Sequence, residues 1–101
     1  MKNVLSIILT IAVMGSTSVA VAADIEAGKA KATICGACHG PDGISLNDLW
    51  PNLKGQKEGY LVKQIKAFRD GSRVDPTMAP MVNPLTDDDI ENLAAYFSSL
   101  K

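Results

Sequence analysis

Five consecutive residues, Cys35-Gly36-Ala37-Cys38-His39, constrain this chain more than any other feature. They hold both cysteines and the single histidine of a 101-residue sequence. Cys-x-x-Cys-His is the attachment pattern of a c-type haem. The spacing has a physical reason. Two thiols three positions apart on a helical turn reach the two vinyl groups on adjacent edges of one porphyrin, and thioether bonds then fix the ring. The next residue, His39, is carried beneath the iron and supplies an axial nitrogen. Other chemistries fit less well. A Cys-x-x-Cys disulfide exchanger wants a βαβ context, and no alternating strand pattern of useful length is present. A structural zinc site needs four ligands, of which two cysteines and one histidine supply three. Two cysteines also exclude a multi-bridge disulfide scaffold.

The pattern follows an export leader. Lys2 opens the chain, an apolar run extends from Val4 to Met14, and small residues lead to Ala20-Val21-Ala22-Ala23. That order is the order of a secretory signal peptide, with cleavage after Ala22 or Ala23. The run is too short for an ordinary membrane span of ~20 residues. Residues 1–23 are therefore expected to be removed, leaving 24–101 as one domain in the periplasm with no stable membrane span. A body of ~80 residues buries only about 60% of its unfolded surface. This one has a single Trp, two Tyr and two Phe to fill a core, so a cofactor is a natural staple. A formal charge of −1 argues against a general nucleic-acid binder.

The body reads as all-α, with at least three helices. Ile25 to Ile34 is Ala- and Lys-rich without proline, and Asp24 can cap it. Gly36 to Gly43 holds three Gly, one Pro and one Asp and reads as a loop. Ser45 to Gly59 reads as irregular chain. From Tyr60 to Asp70, the residues Leu61, Ile65 and Phe68 form one helical stripe, and Gly71 fits its stop. Pro76, Pro80 and Pro84 leave little room for regular structure between Val74 and Leu85. Thr86 then caps a final helix. Asp87, Asp88 and Asp89 sit in its first turn and Ile90, Leu93, Ala94 and Phe97 form its apolar stripe.

The sixth iron ligand cannot be a second histidine. A methionine thioether is the obvious alternative, because His/Met ligation raises the haem potential and suits electron transfer. Beyond the leader only Met78 and Met81 are present, both in the proline-rich segment. Spacing alone does not separate them. Whichever is not a ligand is expected to pack beside the porphyrin.

The chain resembles the class I cytochromes c, specifically the small bacterial c4 and c553 kind. The likeness runs through Ala27-Gly28-Lys29, Cys35 to Gly40, and Trp50-Pro51-Asn52-Leu53-Lys54-Gly55-Gln56. It continues through Tyr60-Leu61-Val62-Lys63-Gln64, Phe68-Arg69-Asp70-Gly71 and Met78-Ala79-Pro80-Met81. It ends with Leu85-Thr86-Asp87 and Leu93-Ala94-Ala95-Tyr96-Phe97. The c4 proteins carry two such domains, and this chain, with one haem pattern, matches a single half. The resemblance implies a small class I fold of three to five helices around one covalent haem. It implies Met78 as the axial methionine, with Met81 the alternative, and the Pro51 carbonyl as acceptor for the far nitrogen of His39. It further implies a crossing of the first and last helices at Gly28 and Tyr96. Trp50 and Tyr60 either pack near the haem or belong to the ordinary core.

The implied function is a periplasmic single-electron carrier rather than an enzyme. Its partners would be a cytochrome bc complex, a terminal oxidase, a peroxidase or a periplasmic dehydrogenase. The alternatives are a haem subunit of a larger oxidoreductase, a haem catalyst or gas sensor with an open sixth position, and a thiol–disulfide exchanger. Lys54, Lys57, Lys63, Lys66, Arg69 and Arg73 concentrate basic charge, while Asp87 to Asp89 and Glu91 concentrate acid. This asymmetry either steers an encounter with a redox partner or is a solvated helix face.

Overall fold

A computed structural model describes residues 7–12, 15 and 22–101. Most of the expected signal peptide lies outside the described residues, and those of its residues that are described belong to no helix. Five helices and no strand occur among the described residues: α1 (Ile25–Lys31), α2 (Gly36–His39), α3 (Glu58–Asp70), α4 (Met78–Val82) and α5 (Asp87–Ser99). The all-α expectation holds, and the helix count is at its upper end.

α1 starts where Asp24 accepts a hydrogen bond from the Ala27 amide at 3.1 Å. The Asp24 amide in turn donates to Asn92 Oδ1 at 2.8 Å, tying this end to α5. The two helices cross at Gly28, as the family likeness implied. A Cβ at Gly28 would collide with the Asn92 carbonyl and press on Tyr96 Cβ. Backbone, unlike the tip of a flexible side chain, cannot move aside cheaply. Gly28→Ala is therefore expected to lower stability by about 2 kcal/mol, the usual cost of overpacking. A urea midpoint equal to that of the parent protein would show that the crossing is looser than described.

α5 opens with a reciprocal cap. The Asp89 amide donates to Thr86 Oγ1 at 3.1 Å, and the Thr86 amide donates to Asp89 Oδ2 at 3.0 Å. Ile90 and Leu93 are its largest fully buried side chains, and Leu93, Ala94, Tyr96 and Phe97 join Ala32 and Leu61 in the main cluster. The Tyr96 and Phe97 rings lie 5.1 Å apart, centroid to centroid, tilted by 56°. The core is thus a seam between α1, α3 and α5. Trp50 and Tyr60 lie outside it, 41% and 49% exposed, so core packing does not account for either.

The Thr86 amide and its hydroxyl hold the Asp89 carboxyl below its usual range, and the Arg69 guanidinium does the same for Asp87. A depressed carboxyl contributes stability above its unfolded pKa, and that contribution is lost as pH falls through the folded value. Stability is therefore expected to decline as acid is added below about pH 5. Asp89→Asn should show a shallower decline in urea midpoint against pH. An identical slope in the two proteins would contradict this role.

Two segments differ from the sequence reading. The first half of the Gly36–Gly43 loop is a helical turn, because the His39 amide reaches the Cys35 carbonyl at 2.9 Å and the Gly40 amide reaches Gly36 at 3.0 Å. Gly40 then ends the turn at φ 86°, where any Cβ would run into the Ile44 carbonyl. In the proline-rich segment, α4 forms in spite of Pro80. Pro80 is the third residue of that helix, and first-turn amides have no partner within a helix, so the missing N–H costs little there. α3 starts two residues before Tyr60 and stops, as expected, at Gly71 in the left-handed region with φ 83°.

Candidate haem site

Cys35 caps α2 at its N-terminal side, and Cys38 and His39 follow within the turn. Both thiols are half-buried and not joined to each other. Burial pushes the Cys35 thiol up, and the neighbouring Cys38 adds to the effect. A disulfide exchanger needs the reverse, a thiol with a lowered pKa. An open cavity of about 300 Å³ lies beside Cys38, bordered by Pro41, Leu46 and Trp50.

His39 is 8% exposed, a buried polar side chain in an otherwise apolar core. Its Nδ1 lies 2.8 Å from the Pro51 carbonyl oxygen. A carbonyl only accepts, so Nδ1 carries the proton and donates it. Nε2 is left with its lone pair, the state in which imidazole binds a metal.

The loop that delivers Pro51 is fastened at its base. The Leu53 and Lys54 amides both donate to the Gly43 carbonyl, at 2.8 and 3.0 Å. The Ser45 amide donates to Asn52 Oδ1 at 2.8 Å, and the Trp50 amide closes a turn onto Asn47 at 3.0 Å. Gly43, Ser45 and Asn52 thus hold Pro51 against His39.

Met78 is the first residue of α4 and half-buried. Met81 is 42% exposed. The Met78 amide donates to Asp75 Oδ1 at 3.0 Å, and the Thr77 amide donates to the same oxygen at 2.8 Å. These two bonds hold the Asp75 carboxyl below its usual range. Asp75 was not singled out from sequence, although an acceptor three residues before a helical methionine is a capping pattern. Of the basic cluster, Arg69 and Arg73 bind within the protein, Arg69 to Asp87 at 2.7 Å and Arg73 to Gln64 at 2.6 Å. Lys54, Lys57 and Lys63 are exposed.

The donor set is two unjoined thiols, one buried imidazole with a free Nε2, and a half-buried methionine at the start of α4. It fits covalent haem c. Among the described residues no three His, Cys, Asp or Glu side chains converge as a metal cluster, and no helix is long and apolar enough to cross a membrane.

A family model described as cytochrome c matches residues 25–101. Cytochrome c4 of Pseudomonas aeruginosa is 46% identical over 101 residues, covering 99% of this chain and 49% of that protein. Cytochrome c-554(548) of Halomonas halodenitrificans is 48% identical over 81 residues, covering 77% of this chain and 98% of that protein. A protein named thiosulfate dehydrogenase electron acceptor, from Thiomonas intermedia, is 36% identical over 93% of this chain and 44% of its own length. The crystal structure of reduced recombinant cytochrome c4 from Pseudomonas stutzeri superposes with a TM-score of 0.75 at 46% identity, over 79% of this chain and 47% of that one. The chain spans about half the length of the cytochrome c4 relatives it matches.

Proposed function

Because the chain belongs to the cytochrome c family, we propose that it serves in the periplasm as a single-electron carrier with one covalent haem c. Cys35 and Cys38 form the two thioether links, and His39 and Met78 are the axial ligands. Bound there, haem c supplies one-electron cycling of iron between Fe(II) and Fe(III). The observation that carries the reading is the buried imidazole of His39, whose Nδ1 is engaged by Pro51 at 2.8 Å. That bond fixes the tautomer and orients the ring, so Nε2 is ready for the metal without reorganisation. Met78 is preferred over Met81 because it is the less exposed of the two and its backbone is held by Asp75. With both axial positions filled by the chain's own residues, small ligands are excluded.

A family match that begins at residue 25 supports a mature domain starting near Asp24, after cleavage at Ala22 or Ala23. The proposed donors and acceptors are redox proteins: a cytochrome bc complex, a terminal oxidase, a peroxidase or a periplasmic dehydrogenase. The relative named as an electron acceptor of thiosulfate dehydrogenase favours the last class. The test is carbon monoxide added to the reduced native protein. A closed carrier leaves the spectrum unchanged, whereas rapid stoichiometric uptake would point to an open sixth position and a catalyst or sensor.

A further inference from the structure

The segment that carries Met78 is pinned to α3 at both ends. At its entry the Arg73 amide donates to the Ala67 carbonyl at 3.0 Å, while the guanidinium lies 4.4 Å over the Phe68 ring. Asp75 then takes the part of a helix cap. Its Oδ1 accepts from both Thr77 and Met78, and its carbonyl accepts from Ala79 at 3.0 Å. Thr77, which occupies the cap position itself, makes no side-chain cap bond. At the exit Arg69 donates to the Leu85 carbonyl at 3.2 Å and pairs with Asp87 at 2.7 Å, joining α3 to the start of α5.

α4 has five residues, far too few to be stable alone. Its three flanking and internal prolines limit φ but form no ladder that would hold the turn in place. Val82 is buried at the far end of the turn, where α4 packs on α3, and the side chains of Asp75 and Arg69 tie down its entry and exit. We propose that Asp75 and Arg69 are positioning residues that keep the Met78 sulfur at its ligating place. The inference rests on Met78 being the axial ligand. Losing either anchor opens the turn locally, while the seam of α1, α3 and α5 remains closed.

The test is the rate at which imidazole displaces the methionine in the ferric protein, followed by loss of the ferric methionine charge-transfer band. Asp75→Ala should exchange about five-fold faster, the size of effect expected from a lost cap. Asp75→Asn keeps an oxygen that accepts both amides and should exchange at the parent rate. Arg69→Gln should also be faster, and it carries the same prediction if Asp75→Ala does not accumulate. Lys31→Ala, which breaks the pair between α1 and Asp89 of α5 at 3.7 Å, should be unchanged. Parent-like exchange in both Asp75→Ala and Arg69→Gln would overturn the proposal, as would Asp75→Asn exchanging as fast as Asp75→Ala. If Met78→Ala keeps the charge-transfer band, the ligand assignment fails, a different result from failure of the anchors.

Discussion

Met78→Ala is expected to abolish the ferric methionine charge-transfer band and to let the reduced protein take up carbon monoxide stoichiometrically. The chain has no second histidine to occupy the vacated position. Loss of the thioether also removes the ligand that raises the potential, so the midpoint should fall on the order of 0.1 V or more. Met81→Ala is the control. Met81 is 42% exposed, and its loss should leave band, potential and carbon monoxide behaviour unchanged. A band that persists in Met78→Ala and vanishes in Met81→Ala would reverse the assignment.

The double substitution of Cys35 and Cys38 by alanine is expected to do more than remove one haem of mass. It should leave a chain that barely folds. Among the described residues Ile90 and Leu93 are the largest fully buried side chains, and three of the other buried positions are alanine: Ala32, Ala94 and Ala95. A body of ~80 residues buries little surface, so a covalent apolar cofactor would make up a large share of its core. Cys35 also packs against the main cluster, so the attachment point and the core are continuous. Most of the helical circular dichroism should be lost at 37 °C. A colourless variant with full helicity and a cooperative urea transition would show that the seam of α1, α3 and α5 is self-sufficient.

What could be read in the sequence followed from local rules. Leu61, Ile65 and Phe68 mark α3 by their spacing, and Gly71 stops it because only glycine takes φ 83° without strain. Thr86 and the three following aspartates mark the start of α5 in the same way. α4 was not legible, because Pro80 reads as a breaker unless its position in the helix is known. Three Gly, one Pro and one Asp made Gly36 to Gly43 read as a loop, yet the backbone bonds from His39 and Gly40 form the helical turn that the cysteine spacing calls for. The motif that holds the proposed thioether and imidazole ligands could be read directly, since both cysteines and the only histidine share five positions, whereas Met78 was preferred over Met81 only through the family resemblance. Of the supports, Pro51 was anticipated only through the family resemblance, and Asp75, Asn52 and Arg69 were not anticipated in these roles. The bond from His39 to Pro51 spans twelve residues and depends on a loop closed by Gly43 and Asn52. Arg69 reaches sixteen residues ahead to the Leu85 carbonyl. Neither contact leaves a periodic trace in the chain.

The central claim is that both sulfurs of this chain are bonded to one haem with His39 at the iron. Intact mass of the protein purified from cells competent in cytochrome maturation, read with its oxidised and reduced visible spectra, tests it most directly. The account predicts the mature chain plus one haem, no thiol open to alkylation, and a reduced spectrum of c-type haem with His/Met ligation. A colourless protein at the mass of the bare chain, with two thiols that alkylate, would contradict it.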